Sequence, residues 1–370
     1  MKLDTWIRYC ENLRNNVIKK ENGENKYLLT NFSGTEQKKD IEARTPLIND
    51  FCRVKINVKA FSDEERAKKG LEPFDFHNEQ DIFNALKEEF DMPYWALLSI
   101  AKPLKDLTKT FIYQLKACNI HCPWCYVDDI SKNAQNSNNS SFFSVREIMD
   151  MFEKEQKNQP LYNFRPSGGE PTLAVEQWLE SLREIEKRNL TAFIQGDTNL
   201  TTGCYIEHLE NTGQIEKNLL EKIGEYDNFG LLCSFKGTDK ESFLKSIGMP
   251  EQFSFLEDER WHTFGKLVKA GIDAYIFVYG ANPKTLEPFM KKGAGMFGDG
   301  FYLKTWIVKL KLYGAEKPRL DRIGVNSDAY QKELDENFQK SEEIMQNLIW
   351  KKFGINYQAF PRTGFKLKVK

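Results

Sequence analysis

The chain has 370 residues, of which 40% are hydrophobic, 29% charged and 13% aromatic, and its formal net charge is −1. That length suits one large α/β domain with extensions, or two ordinary domains, and the aromatic share supports a substantial core. A near-neutral balance excludes bulk electrostatic attraction to nucleic acid or to a membrane surface, and no run approaches the ~20 apolar residues that cross a bilayer.

Met1 to Cys10 has no hydrophobic region of signal-peptide type, so a cytoplasmic protein is expected. Seven cysteines, an odd number, then point to metal binding or redox chemistry rather than disulfides.

Residues 1–105 read as an N-terminal extension of unassigned fold. A polar segment, Lys19 to Asn25, precedes a strand-like run from Cys52 to Val58. In that run Cys52, Val54, Ile56 and Val58 alternate with polar residues. A charged stretch from Ser62 to Lys69 and a helix-like segment from Glu79 to Phe90 follow.

From about residue 106 strands alternate with helices. The predicted strands are Thr110–Leu115, Asn163–Arg165, Thr191–Gln195, Phe229–Phe235, Ala274–Tyr279 and Phe301–Val308. Between the first two, Ser131 to Ser141 is polar and of low complexity and is expected to be a mobile surface loop. Ser144-Val145-Arg146-Glu147 is a capping box that opens a helix. Val175, Trp178, Leu179, Leu182 and Ile185 form one apolar stripe on the next helix. Trp261, Phe264, Leu267 and Val268 form another, ended by Gly271. Tyr330, Leu334, Phe338, Met345 and Leu348 share a face of a helix from about Ser327 to Lys352. The fold class is therefore α/β. Six β-then-α units over 106–312 argue for a parallel sheet, open or curled into part of a barrel, with a C-terminal helical extension over 313–370. Functional groups should collect at the C-terminal ends of the strands.

The first strand runs straight into Cys118-Asn119-Ile120-His121-Cys122-Pro123-Trp124-Cys125. Three thiolates so close in sequence converge on one object only if the backbone loops around it. Soft thiolate donors select an iron–sulfur cluster, zinc or Cu(I). Three ligands rather than four leave one metal position open. Structural zinc, completed by His121 or a distant cysteine, is the competing reading, although Cys10, Cys52, Cys204 and Cys233 form no second pair. One β/α unit later comes Ser167-Gly168-Gly169-Glu170-Pro171, between a strand and a helix. Its glycines allow close backbone approach to a ligand, and the Glu170 carboxylate suits an ammonium group.

C-x3-C-x2-C with an aromatic before the last cysteine, followed by Gly-Gly-Glu-Pro, resembles the radical S-adenosylmethionine (SAM) superfamily over roughly residues 106–310. The resemblance implies a partial (β/α)6, TIM-barrel-like fold. It implies a [4Fe-4S] cluster held by Cys118, Cys122 and Cys125, with SAM chelating the fourth iron. Gly168, Gly169, Glu170 and Pro171 would form the turn at its amino group, and Trp124 would touch the adenine. In the same frame Asp197 and Asn199 would contact the ribose. Ser234-Phe235-Lys236 is similar to the Asp-x-Lys of glycyl-radical activating enzymes, with Ser in place of Asp. Val278 and Tyr279 would offer backbone to the adenine.

The resemblance further implies reductive cleavage of SAM to a 5′-deoxyadenosyl radical that abstracts hydrogen from a substrate. It also implies oxygen sensitivity and an electron donor such as a flavodoxin or ferredoxin. A protein or peptide substrate is the first expectation and a small metabolite or nucleotide the second. A non-enzymatic metal protein is the reading from another class. The face that Lys304 shares with Trp306 and Val308 would favour an anionic substrate if it faced the lumen, and Cys204 is a candidate hydrogen-atom donor.

Overall fold

The computed structural model describes residues 3–38, 49–56, 100–102, 109–312, 314–357 and 364–370. The expected segments Ser62–Lys69 and Glu79–Phe90 lie outside them. In chain order the elements are α1 (Leu3–Val17), β1 (Ile18–Glu21), β2 (Glu24–Thr30), β3 (Cys52–Ile56), β4 (Lys109–Gln114), β5 (Ser140–Ser144), α2 (Val145–Asn158), β6 (Asn163–Ser167), α3 (Glu176–Lys187), β7 (Phe193–Thr198), α4 (Gly203–Asn211), α5 (Leu219–Gly224), β8 (Phe229–Lys236), α6 (Lys240–Ile247), α7 (Leu256–Lys269), β9 (Asp273–Tyr279), α8 (Pro283–Phe297), α9 (Gly300–Leu303), β10 (Thr305–Val308), α10 (Lys317–Arg322) and α11 (Ser327–Phe353).

The central sheet has the order β10-β9-β8-β7-β6-β4-β3. Its six strands from β4 to β10 are parallel, and β3 pairs antiparallel with β4 at one edge. Strands laid down in this sequential order, each followed by a helix, give the expected six β/α units. A second, antiparallel sheet is formed by β1, β2 and β5. Part of the N-terminal region is thus woven into both sheets, and α1 buries Trp6, Cys10, Arg14 and Val17. Arg14 forks onto Glu176 at the start of α3, and Trp6 donates its indole N–H to the Thr201 carbonyl. Among the described residues no helix is long and apolar enough to cross a membrane.

Period-2 alternation sorts the strand residues onto two faces. On the outer face Phe235 packs edge to face against Phe264, Phe289 and Phe301 and at a tilt against Trp261, which itself meets Phe289, so β8 is covered by α7, α8 and α9. Each such ring contributes about 1.5–3 kcal/mol by burial. The inner face carries a smaller apolar cluster, Phe193, Leu232, Tyr275, Phe277 and Val308, with Trp306 stacked on Phe277. Two layers therefore enclose the sheet, and the inner one leaves room toward the C-terminal ends of the strands.

Two strands differ from expectation. β7 runs Phe193–Thr198 rather than Thr191–Gln195. Gly196 and Asp197 have low strand propensity, which hides its second half. A side chain at Gly196 would collide with Leu231, Phe229 and Trp178, so the sheet needs glycine there. The stretch expected as the strand Phe301–Val308 is instead the short helix α9 followed by β10. Phe301 belongs to the outer aromatic cluster, and Thr305 Oγ1 turns back to its carbonyl. The polar Ser131–Ser141 segment is not free. Buried Lys116 donates to the Ile130 carbonyl and to Asn139 Oδ1, and the segment ends in β5.

Candidate active site

The loop after β4 carries the three cysteines over the C-terminal end of the sheet. Cys122 is buried, while Cys118 and Cys125 are partly exposed. Its backbone is held from several directions. Cys118 N–H donates to the Lys132 carbonyl, His121 N–H to the Ile247 carbonyl and Cys125 N–H to the Cys122 carbonyl. Asn119 is buried and donates to Thr201 Oγ1, while Asn199 donates to Asn119 Oδ1 at 2.8 Å.

Far along the chain, Arg319 of α10 reaches back to this loop. Its guanidinium donates to the carbonyls of Cys125 and Val127 and pairs with Asp129 at 2.7 Å. Arg322 joins Asp129 as well. Neither arginine is signalled by a motif, because the contact spans some 190 residues of sequence.

The glycine turn fits directly onto this loop. Leu115 N–H donates to the Ser167 carbonyl and Glu170 N–H to the Ala117 carbonyl at 2.5 Å. Gly169 has φ +51°, and a Cβ there would lie 1.9 Å from the Ala117 carbonyl oxygen. Only glycine lets the two backbones approach this closely.

Glu170 is fully buried. Its carboxylate accepts from Thr172 and, at 2.7 Å, from the Asn199 N–H, so it ties the end of β6 to the end of β7. Burial pushes its pKa up to about 7, against the lowering effect of these hydrogen bonds. A folded-state pKa above the unfolded value means that the native protein binds the extra proton between about pH 4.3 and pH 7. Stability from this group is therefore greatest below that window and falls as pH rises through it, by on the order of 3 kcal/mol. Glu170→Gln removes the effect. In pH-dependent denaturation of the ligand-free protein, the variant should gain on the parent steadily between pH 4.5 and 7. Glu180, also raised to about 7 by burial, is common to both proteins and cancels in the difference. A flat difference curve would place the proton elsewhere.

The inner face supplies the walls. Trp124 stacks on Tyr279 with centroids 5.4 Å apart, and Lys236 Nζ sits 4.5 Å and 4.3 Å from the two ring centroids. Ser234 lies one step below Lys236 on the same face, paired in register with Phe277. Arg165 forks onto Asp197 through two hydrogen bonds of 2.7 and 3.0 Å. A cavity of ≈ 450 Å³ lies beside Trp124, bounded by Gly280, Val308, Ser246 and Tyr330.

The predicted residues thus fall into groups. Trp124, Lys236, Tyr279, Ser234 and Asp197 face the lumen, and Asn199 braces the cysteine loop. Pro171 opens the short 3-10 turn after Glu170. Val278 is different: its side chain is wholly buried in the outer core, as period-2 alternation next to Tyr279 requires. Lys304 does lie on the lumen face, but at the N-terminal end of β10. It is fully buried against Asp273 and under the Tyr275 ring, so it neutralises a local charge far from the cysteine loop. Cys204 is not a hydrogen donor to the lumen. It lies on α4, where its thiol donates to Glu259 of α7. With Glu207 and His262 it forms a group whose ligand atoms lie within 4.8 Å of one another. Glu259 and Lys266 already close that network.

The cysteine trio can be tested against the group it would hold. Among the described residues, Cys204, Glu207 and His262 form the one such set with all ligand atoms within 4.8 Å, so at least one pair of sulfurs among Cys118, Cys122 and Cys125 is farther apart than that. Zinc–thiolate bonds of ~2.3 Å would bring sulfurs to within about 3.8 Å. A larger object fits the wider spacing. Two cations face the trio. Burial raises the Cys118 and Cys122 thiols, Cys118 to about 12, and Lys132 and Lys236 pull the other way. Burial alone would lower Lys132, but the three cysteines more than offset it. Soft donors, wide spacing and flanking cations suit an anionic iron–sulfur cluster.

Residues 113–292 match the family model of the radical SAM superfamily, just under half the chain. The chain carries a radical SAM domain. Members of that superfamily are enzymes, and their cofactors are a [4Fe-4S] cluster and SAM. No curated protein matches the sequence. Among solved structures the chain is similar to Streptococcus suis SuiB bound to SAM, at 11% identity and a TM-score of 0.40, over 79% of this chain and 57% of that one. It is similar to SuiB bound to the precursor peptide SuiA at 14% identity and a TM-score of 0.35, over 49% and 36%. It is also similar to TYW1 with a lysine-pyruvate adduct bound, at 12% identity and a TM-score of 0.37, over 81% and 88%. The chain spans about a third to just over half the length of the two SuiB chains. None of these three likenesses bears on what the chain does.

Proposed function

We propose that the chain is a radical SAM enzyme in which residues 106–312 form the catalytic barrel, flanked by an N-terminal extension over 1–105 and a helical one over 313–370. Cys118, Cys122 and Cys125 hold the [4Fe-4S] cluster. The observation that carries this reading is the seating of the Gly168–Pro171 turn on the cysteine loop, through the Glu170 N–H and the close approach of Gly169 to Ala117. That contact joins the two elements SAM must bridge.

Gly168, Gly169 and Glu170 hold the amino group of SAM, and Asn199 keeps Glu170 and Asn119 in place. Trp124 forms one wall of the adenine site, and the neighbouring cavity is large enough for an adenosine moiety. When bound, cluster and SAM together supply a 5′-deoxyadenosyl radical that abstracts a hydrogen atom from the substrate. The inner wall excludes water and stray hydrogen donors through Phe277, Trp306 and Tyr279. A reduced flavodoxin or ferredoxin serves as electron donor. The substrate is a side chain of a protein or peptide, reached from the open C-terminal end of the sheet. The charged lumen keeps a small metabolite as the second reading.

Anaerobic reconstitution should give about four irons and four sulfides per chain, with absorption near 400 nm that bleaches on reduction. Dithionite-reduced protein incubated with SAM should release methionine and 5′-deoxyadenosine. A reconstituted protein that leaves SAM intact under these conditions would refute the reading.

A further inference from the structure

The lumen holds two arginines, one paired to a carboxylate and one without an acidic partner among the described residues. Cross-strand register places Arg53 of β3 opposite Ile112 of β4, and Ile112 opposite Arg165 of β6. The two arginines therefore leave the same face of the sheet, two strands apart, with Cα atoms separated by about 9.5 Å. Arginine side chains can converge across that span above Ile112. Arg165 is matched by Asp197. Arg53 is matched by no carboxylate among the described residues. Its Nε is buried with no hydrogen-bond partner, and its guanidinium lies over the Phe32 ring, 5.8 Å from the centroid. Among the described side chains, the inward charges of β3, β6 and β7 are Arg53 and Arg165 against Asp197, two positive and one negative.

The Nε of Arg53, half-buried in the fold, is cut off from water with no acceptor to replace it, a desolvation cost that a bound anion would offset. Burial draws Arg53 down to about 10, the phenol of Tyr126 pulls the other way, and the charge of Arg165 adds to the lowering. Tyr126 follows Cys125 directly, so this vacancy for negative charge adjoins the cysteine loop. It also lies at the level of Ile112, deeper than Gln114 at the tip of β4, on the side of the sheet opposite β8–β10 where Trp124 and the cavity lie.

We propose that Arg53 and Arg165 form an oxyanion subsite in the lumen, and that the substrate carries a carboxylate or phosphate which this pair grips while its reacting carbon faces the C-terminal end of the sheet. This rests on the reading of the lumen as the substrate site. Guanidinium forks suit either anion through paired N–H donors. Arg53 supplies the free fork. Arg165, fixed by Asp197, supplies the second charge at a set position.

The test uses the full chain, anaerobically reconstituted and saturated with SAM, titrated calorimetrically with inorganic phosphate and separately with succinate. The parent should bind at least one of them. Arg53→Gln should weaken that binding by at least about tenfold, and Arg53→Lys should restore much of it. Iron content, SAM affinity and substrate-free 5′-deoxyadenosine release should not change. A preference between the two probes assigns the group as phosphate or carboxylate. Parent protein that binds neither probe, or Arg53→Gln that binds as the parent does, overturns the subsite. Loss of SAM affinity in Arg53→Gln also overturns it, by assigning the arginine to SAM. A parent that binds the anions but fails to cleave SAM refutes the catalytic reading and leaves the subsite standing.

Discussion

Cys122→Ala purified and reconstituted without oxygen should hold only background iron and sulfide, show no absorption near 400 nm and release no 5′-deoxyadenosine from SAM. Three thiolates hold three irons of a site-differentiated cluster, so one deletion leaves an iron without a protein ligand. The fold should survive. The loop backbone is fixed by the His121–Ile247 and Glu170–Ala117 hydrogen bonds, none of which uses the Cys122 side chain. Removing a small buried thiol should cost only about 1 kcal/mol in the cluster-free protein. A variant that still assembles four irons would show that Cys122 is not a ligand. A parent carrying stoichiometric zinc and no sulfide would return the site to the structural-metal alternative.

Much of the architecture was legible because it rests on local periodicity. The alternation of strands with amphipathic helices survives folding almost unchanged. Ser144 and Glu147 form the expected reciprocal cap, and the Trp178–Ile185 stripe is buried as its spacing requires. The failures have physical causes. Gly196 is dictated by what packs against it from Trp178 and Leu231, not by strand propensity. Phe301 scores as a strand residue, yet it satisfies an aromatic cluster built by three other elements, β8, α7 and α8. β1 and β5 escaped because their lysine-rich and serine-rich sequences carry little apolar alternation, and β2 because its buried Tyr27, Leu28 and Leu29 form a short run rather than a period-2 pattern.

The site divided along the same line. The cysteine spacing and the glycine turn are chain-local, and the two meet where the strand order predicts. Asp197 looked like a free polar contact until its partner two strand positions away was known. Arg165 could have been suspected from its alternation with Asn163 on a short strand, had the sheet register been available. Arg53 could not, since nothing in the sequence around it reveals that this arginine leaves the lumen face of the sheet rather than a solvent face. Lys116 and Arg319, which pin the loop from below and from the C-terminal extension, are ordinary basic residues in sequence.

Arg319 is where the second large effect should appear. Its guanidinium serves two carbonyls, the part-buried one of Cys125 and the buried one of Val127, and the Asp129 carboxylate, with a side chain only 9% exposed. Arg319→Ala leaves both carbonyls without this donor, at about 1–3 kcal/mol each. Asp129 adds little to that sum, because it is half exposed and keeps Arg322. The cost falls on the segment that presents Cys125, so local opening should expose the cluster before the barrel unfolds. The variant should therefore lose about 2–4 kcal/mol of stability and bleach in air markedly faster than the parent. Its iron content should fall even though all three cysteines are intact. Arg319→Lys should recover less than half of the loss, since one ammonium cannot span two carbonyls and a carboxylate in a fixed fork. If Arg319→Ala matches the parent in both denaturation and cluster lifetime, the cysteine loop holds its shape unaided and the C-terminal extension has no part in keeping the cluster.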